Sequence, residues 1–355
     1  MTGTTQNRGL IFSRVIKALA VGKGQPDLAC AYTAGQGWPN ERAVVESIKA
    51  AINPMSTTSN PLASPASFDL ADFVRPLTII GKLANLRRVP SRTRAIAATA
   101  GSAAFWAGEA QPRRISRLTL QGEILEQLSI VAILITSVEL LQSSSPSAEV
   151  TLSRDIGAAA AQALDLAFID IDNAGEENAR PASITNGVTP IVSAGATLAN
   201  IDSDLAKLVQ ALSDAGSDLM DAVWVLNPRT ALYLARLRGT GGALAFPGLS
   251  VLGGELLGLP AITSVSVPMS IGSPGAGQTS ITLLDQSQIL LADDGAGSFS
   301  VMDKGSLQME PEPGSGAQAM VSLFQTNSAA LRVVRHANWK RCRDGMAQVL
   351  SEVAY

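Results

Sequence analysis

The stretch from residue 221 to residue 265 constrains the fold more than any other part of the chain. Residues 223–226, Val-Trp-Val-Leu, form an apolar run that is too short for a helix, and such a run predicts a strand buried on both faces. Asn227 and Pro228 follow it, and these residue types suit the cap and the first position of a helix. A buried strand that leads directly into a helix is therefore expected at the centre of the fold.

The second half of this stretch predicts a return strand. The helix that starts at Pro228 is expected to be short, because a glycine-rich loop follows it at 239–242. In Leu-Gly-Leu-Pro-Ala, at 257–261, Gly258 is expected to form a turn. Pro260 is expected to open an edge strand, since proline cannot donate a hydrogen bond to a sheet ladder.

Composition limits the classes of protein that remain. The 355 residues allow a large core and one to three domains. Apolar residues make up 46% but aromatics only 4%, and no run of about 18 apolar residues predicts a membrane span. Residues 1–30 do not resemble a secretory signal. A single histidine, His336, and two cysteines are too few for a zinc site. Cys30 and Cys342 are expected to be free thiols, and a disulfide between them is the alternative.

Charge is distributed unevenly along the chain. Residues 75–117 contain eight arginines and Lys82 against Glu109 alone, a net charge of +8 in a chain whose total is −3. This contrast favours pairing between the basic segment and the acidic remainder, within or between subunits. Nucleic-acid binding is the alternative, but the segment lacks the interleaved aromatic residues that stack on bases.

Two motifs resemble one family. The order of Val-Leu-Asn-Pro-Arg at 225–229, a helix, a loop and then 257–261 is similar to the axial domain of major capsid proteins of tailed bacteriophages, which have the Hong Kong 97-type fold. Trp-Ala-Gly-Glu-Ala-Gln-Pro at 106–112 resembles the extended hairpin loop that lies across a neighbouring subunit in this family. A hairpin with little core of its own is marginally stable in water, so a partner is expected to order it.

Hydrophobic periodicity predicts the other elements. Helices are expected over 8–21, 41–52, 146–171 and 198–215, and strands over 115–120, 128–135, 280–284, 288–292, 298–302, 325–336 and 347–353. The helix from 146 is roughly 38 Å long and occupies the place of the family's spine helix. Residues 53–67 are rich in Pro, Ser and Thr and low in charge, which is typical of a linker.

The resemblance implies an α+β fold with an N-terminal arm, an extended β-hairpin loop, a peripheral domain with a long spine helix, and an axial domain. The expected divisions are a scaffold-like helical extension over 1–55, a linker and arm over 56–95, the hairpin loop over 96–127, the peripheral domain over 128–185 and 321–355, and the axial domain over 186–320. The arm is expected to lie on other subunits. Because the extension is short for a scaffolding domain, the sequence does not decide whether a protease removes it.

The resemblance also implies a structural function. Subunits would assemble into pentamers and hexamers of an icosahedral shell around double-stranded DNA, with a portal, a scaffold or maturation protease, and decoration proteins as further partners. The chain would be a virion component that assembles in the bacterial cytoplasm. An encapsulin-like nanocompartment shell is the alternative on the same fold. A soluble hydrolase or nucleotide-binding enzyme is the alternative of another class.

The sequence predicts no catalytic residue, no cofactor site and no metal site. Residues 272–279 approach a phosphate-binding loop, but Gln278 stands where the loop requires lysine, and a strand follows instead of a helix. No nucleophile motif such as Gly-x-Ser-x-Gly accompanies His336 in the sequence, so a catalytic triad is not predicted. A cluster of four carboxylates could hold a hard cation, although a solvated helix end is the favoured interpretation: Asp170, Asp172, Glu176 and Glu177.

One departure from the family concerns covalent locking. Some members join subunits by an isopeptide bond from a lysine of the extended loop, whereas here no lysine occurs between Leu83 and Ala206. Locking of this type is therefore expected to be absent. Arg113, Arg114 and Arg117 could instead form charge-assisted contacts with a neighbour's carboxylates.

Overall fold

The computed structural model describes residues 10–22, 25–38, 40–52, 74–92, 94–100, 119–139, 146–239, 241–269, 277–293, 297–302, 305–309 and 319–355. The helices are α1 (Leu10–Val21), α2 (Pro26–Gln36), α3 (Glu41–Ile52), α4 (Ile79–Lys82), α5 (Pro146–Ile169), α6 (Leu198–Asp214) and α7 (Pro228–Arg236). None of the described helices is long and apolar enough to cross a membrane.

The described strands, numbered in chain order, form five sheets. They are β1 (Arg87–Arg88), β2 (Arg94–Ala100), β3 (Thr119–Ile124), β4 (Ser129–Ser137), β5 (Ile191–Val192), β6 (Ala222–Leu226), β7 (Leu249–Ser250), β8 (Gly253–Leu256), β9 (Leu259–Thr263), β10 (Thr279–Asp285), β11 (Ile289–Ala292), β12 (Gly297–Met302), β13 (Ser306–Met309), β14 (Ala319–Ser322), β15 (Ser328–His336), β16 (Asn338–Arg341) and β17 (Ala347–Val353). This mixture of helices and sheets confirms the α+β fold class.

Contacts between residues divide the chain into two compact units. The first unit comprises residues 1–81, 129–164 and 295–336, and the second comprises 82–128, 165–294 and 337–355. The predicted domains, with 321–355 in the peripheral domain and 186–320 in the axial domain, stay a prediction. β15 and β17 are separated in sequence only by the short strand β16, yet they pair in different sheets: β15 pairs with β4 and β12, and β17 pairs with β10 and β5.

The first unit is built on a three-stranded antiparallel sheet in the order β12–β15–β4. Leu331 and Val333 of β15 belong to one buried cluster with residues of α5 and of the three N-terminal helices. The prediction of a buried strand over 128–135 is wrong in one respect. β4 lies at the edge of this sheet, and Val131 and Ile133 on it are exposed.

The described residues of the N-terminal region form three helices where the sequence predicted two. α1 and α3 confirm the expected helices, and α2 was missed because its small and polar residues give it little amphipathic pattern. All three helices contribute to the core of the first unit, with Phe12, Ile16, Ala29, Val44 and Ile48 among the buried side chains. The extension therefore shares a core with β15 and α5.

The second unit is built on a seven-stranded mixed sheet in the order β5–β17–β10–β6–β9–β8–β7. Every residue of β6 and of β10 is buried, which confirms the strand predicted over 223–226. α6 and α7 place Leu205, Leu208 and Leu234 in the same buried cluster as Trp224. The indole Nε1 of Trp224 donates to the carbonyl oxygen of Leu256 at 3.0 Å.

The turn after β6 forms as predicted. The side-chain oxygen of Asn227 accepts a hydrogen bond from the backbone N–H of Arg229 at 3.0 Å, and Pro228 is the first residue of α7. Leu257 and Gly258 have φ values of 53° and 79°, which fits a two-residue hairpin turn.

Pro260 corrects another expectation. β9 is an interior strand between β6 and β8, so the prediction of an edge strand is wrong. The ladder with β6 begins one residue later, at Ala261. Proline is therefore accommodated near the start of β9, before that ladder requires a donor.

Most other predicted elements are confirmed within a few residues, namely α5, α6, β10, β11, β12, β15 and β17. β16 was missed. It is a short strand that pairs with β11, which in turn pairs with β1. Three consecutive strands, β15 to β17, therefore join three different sheets.

Candidate assembly surfaces

The extended hairpin is present at its base. β2 and β3 pair antiparallel from Arg94 with Ile124 to Ala100 with Thr119, with an irregularity near Ala98. In the described part of the chain these two strands form a sheet of their own. The predicted strand over 115–120 overlaps β3 at residues 119 and 120, and residues 101–118, with the tip that carries Arg113, lie outside the described residues.

The described part of the arm, 74–92, contacts its own chain. In the first unit Val74 is buried in the core that contains α1. In the second unit the ammonium of Lys82 donates to the carbonyl oxygen of Thr263 at 2.8 Å, and the Asn85 amide donates to Asp221 at 2.6 Å. An arm that lies on other subunits remains a prediction for 56–73, which are outside the described residues.

Several large apolar side chains of the described residues lie on the surface. Leu252 is 92% exposed, Val265 86% and Met220 84%, and all three lie at turns next to strands of the seven-stranded sheet. Phe324, in the first unit, is 79% exposed. Scattered exposed apolar residues are ordinary, but this many at turns is consistent with surfaces that contact other protein.

One face of α7 has a composition typical of interfaces. Arg229, Leu232, Tyr233 and Arg236 follow the i, i+3, i+4, i+7 spacing of a single helix face, and all four are exposed. The helix buries Thr230, Ala231 and Leu234 on its other side. Tyrosine and arginine are enriched where proteins meet, and lysine is depleted.

This face borders a surface cleft of about 670 Å³. Its walls are formed by α7, the residues after it and the last two residues of the sequence: Arg229, Leu232, Tyr233, Arg236, Leu237, Arg238, Ala354 and Tyr355. The rings of Tyr233 and Tyr355 lie 5.4 Å apart. The hydroxyl of Thr230 donates to the backbone oxygen of Tyr355 at 2.8 Å, which holds residue 355 against α7.

Burial sets the chemistry of Tyr355. It raises the pKa of the phenol to about 12, and the negative charge of Asp204 acts in the same direction. The ring therefore stays neutral throughout the physiological range. It supplies apolar area to a cleft whose charges come from arginines.

A second cleft, of about 400 Å³, lies elsewhere in the second unit. Its lining mixes carboxylates with basic side chains and includes Glu126, Glu176, Glu177, Lys340, Arg341 and Asp344. The guanidinium of Arg341 donates to the carbonyl oxygen of Asn186 at 2.7 Å, and burial lowers the pKa of Arg341. These contacts hold the segment after α5 next to β16.

The predicted carboxylate cluster lies at the end of α5. Asp170 and Asp172 follow Ile169, and the backbone N–H of Asp172 donates to the Asp170 carboxylate at 3.1 Å. Glu176 and Arg180 form a bridge of two backbone hydrogen bonds. Among the described residues, no group of three or more His, Cys, Asp or Glu is placed to hold a metal ion.

The remaining candidate residues have structural contacts. His336 ends β15, and its Nδ1 lies 3.0 Å from the hydroxyl of Ser129. Cys30 and Cys342 are both free, as expected. Burial raises the pKa of the Cys342 thiol, and the nearby Arg87 opposes that shift. Most of the phosphate-like loop at 272–279 lies outside the described residues, and the strand expected after it is β10.

The sequence did not predict the cleft beside α7. The missing partner was Tyr355, which is 122 residues beyond Tyr233 and reaches it because β17 pairs with β10. No local pattern carries that information. An exposed Arg-Leu-Tyr-Arg spacing on a short helix was the one available signal.

The profile of the phage capsid family matches residues 69–341. The capsid polyprotein of Pseudomonas phage PAJU2 is 33% identical over 97% of this chain, which spans 54% of that protein. The major capsid protein of Klebsiella oxytoca phage phiKO2 is 23% identical over 93% of this chain and 75% of its own length. The chain therefore spans about half of the first relative and three quarters of the second.

Solved structures show the same fold. A chain of Mycobacterium phage Ogopogo superposes with a TM-score of 0.55 over 78% of this chain and 92% of its own, at 20% identity. At that identity the likeness concerns the fold alone, which is the Hong Kong 97-type capsid fold expected from the sequence. The comparisons do not favour the encapsulin-like alternative.

Proposed function

The chain belongs to the phage capsid family, and from that premise we propose that it is the major capsid protein of a tailed phage or prophage. Copies of it assemble into pentamers and hexamers, which close into an icosahedral shell around double-stranded DNA. Its role is structural rather than catalytic. The single observation that carries this proposal is the match to the phage capsid family over residues 69–341.

The isolated hairpin supports this assembly mechanism. A two-stranded sheet buries little surface and is marginally stable alone, so contact with a neighbouring subunit stabilises it. The tip segment adds Arg113, Arg114 and Arg117, which keep their charge at any relevant pH. Their contacts to a neighbour's carboxylates replace the covalent lock, for which the loop has no lysine.

The further partners follow from the same role. The shell joins a portal, uses a scaffold or maturation protease, takes decoration proteins, and meets packaged DNA without reading its sequence. The chain is a component of the virion and assembles in the cytoplasm of the bacterial host. Residues 1–55 act as the scaffold-like extension, residues 128–185 and 321–355 belong to the peripheral domain with the spine helix, and residues 186–320 belong to the axial domain.

Electron microscopy of the purified full chain tests the proposal. We expect closed, faceted shells, or rings of five and six subunits, when the protein is expressed with or without a scaffold. Light scattering on the same sample gives the mass of the particles. A chain that remains monomeric at every concentration and salt condition, with and without scaffold and protease, contradicts the proposal.

The particle size separates this role from a nanocompartment. A head shell is expected to package DNA and to incorporate a portal at one vertex. Small uniform particles that copurify with a cargo enzyme would instead support the encapsulin-like alternative.

A further inference from the structure

The exposed face of α7 carries charges that have no counter-charge among the described residues of the chain. We propose that this face binds the exposed face of α6 in a second copy of the chain, in a head-to-tail contact. The inference rests on the proposed function and deepens it, because it names the two surfaces through which neighbouring subunits of a ring meet.

The basic side of the contact is defined by its charge and its exposed apolar area. Residues 228–239 contain three arginines and no acidic residue. Within the described part of the chain, no carboxylate lies at ion-pair distance from Arg229 or Arg236. Between them Leu232 is 43% exposed and Tyr233 is 38% exposed. Tyrosine and arginine are among the residue types enriched in binding hot spots.

The acidic side is the solvent-facing surface of α6 and the turn after it. Asp202, Asp214 and Asp218 are exposed there. The one lysine of the helix, Lys207, is already bound at 2.9 Å to Asp204, whose side chain is fully buried. The exposed surface of α6 is therefore negative, and it complements the positive face of α7.

The two surfaces do not pair with each other within the described part of one chain. α6 and α7 both bury their opposite sides in the core of the second unit, and neither Asp202 nor Asp214 pairs with an arginine of the same chain among the described residues. Because the surfaces differ, the contact is heterologous, and a heterologous contact forms a ring when its rotation closes after five or six copies. Its charges lie at the surface, so salt weakens it.

Charge reversal tests the pairing directly. Arg229→Glu with Arg236→Glu makes both surfaces negative, whereas Asp202→Arg with Asp214→Arg makes both positive. We expect each variant alone to need at least tenfold more protein than the wild type before oligomers form, measured by size exclusion with light scattering. An equimolar mixture should form oligomers again, because alternating subunits then present opposite charges to each other.

A single chain with all four substitutions extends the test. It restores every contact with reversed polarity, so rings and shells should form as in the wild type. Arg42→Glu with Arg154→Glu is the matched control, since both arginines are exposed and lie in the first unit. This control should assemble at the wild-type concentration. Circular dichroism checks that each variant is folded, and Arg229→Gln with Arg236→Gln replaces any that is not.

The outcomes separate the inference from the proposed function. Three results overturn the α6–α7 contact while the capsid role stands. The reversed variants assemble like the wild type, or neither the mixture nor the four-residue variant recovers assembly, or the control loses assembly equally. If the wild type itself never assembles, the proposed function fails instead. Loss for each variant with recovery on mixing supports the contact.

Discussion

Trp224 shows how one buried residue connects separate parts of the second unit. It is completely buried in β6, and its indole N–H reaches the carbonyl of Leu256 on β8, beyond the intervening strand β9. Asn227, three residues later, has a similar double role. Its side chain caps α7 and also donates to the carbonyl oxygen of Val267 at 3.2 Å. Single polar contacts therefore fix the position of the helix that carries the arginine face.

The Asn227 cap can be tested against a weaker cap in the same unit. Asn227→Ala removes the cap and leaves the buried Val267 carbonyl without this donor, so we expect the free energy of unfolding to fall by about 1–3 kcal/mol. Thr197→Ala removes an exposed cap on α6 whose N–O distance is 3.4 Å, and its cost should stay near or below roughly 0.5 kcal/mol. Urea denaturation of the unassembled subunit measures both. Equal losses would contradict the role assigned to Asn227.

Tyr355 predicts a stability change at alkaline pH. The unfolded phenol titrates near pH 10 and the folded one near 12, so the native state holds the proton more tightly. This contribution is fully present below pH 10 and is lost as pH rises from 10 to 12. It amounts to at most roughly 3 kcal/mol. Tyr355→Phe should remove that part of the pH dependence. The measurement is the urea midpoint of the wild type and of the variant as a function of pH from 10 to 12. If the urea midpoints of the two proteins fall in parallel as the pH rises, the contribution assigned to Tyr355 is refuted.

At the scale of elements, β2–β3 and the seven-stranded sheet differ in how many neighbours support them. β6 and β10 are paired on both sides and buried throughout, whereas β2 and β3 pair with each other alone among the described strands. Strands of the first kind open only when the whole unit unfolds. Strands of the second kind open locally, because few contacts are lost.

Hydrogen exchange should reveal this difference. In the unassembled subunit we expect amides of 94–100 and 119–124 to exchange at least a hundredfold faster than those of 222–226 and 279–285, corresponding to roughly 3 kcal/mol less protection. On assembly the hairpin amides should become protected, while the sheet amides serve as the internal control. Hairpin amides that are already protected in the free subunit would argue against stabilisation by a neighbour.

At the scale of the whole molecule, the N-terminal helices and the sheet β12–β15–β4 form one core. Phe12 and Ile16 of α1 are completely buried in the cluster that includes Leu331 of β15 and Ile156 of α5. Such sharing implies that the extension stabilises the first unit. An extension that only preceded the shell domain would leave that sheet unaffected.

Truncation of Phe12 distinguishes an extension that shares the core of the first unit from one that only precedes the shell domain. Phe12→Ala should destabilise the entire first unit by about 3–5 kcal/mol, because it leaves a large cavity in a shared core. Phe324→Ala, at a side chain that is 79% exposed, should change stability by less than about 0.5 kcal/mol. Exchange of β15 amides reports on the sheet itself. If Phe12→Ala loosens α1 alone and leaves the β15 amides protected, the shared core is disproved.

The sequence by itself determined the elements whose cause is local. A short apolar run, an Asn-Pro cap and a periodic helix predicted β6, α7 and α5, because capping and periodicity depend on neighbouring residues. The tertiary structure decided the rest. It put Pro260 in an interior strand, sent β15 and β17 to different sheets, and brought Tyr355 to Tyr233. Pairing between distant strands depends on the packing of the whole chain, which no local pattern records.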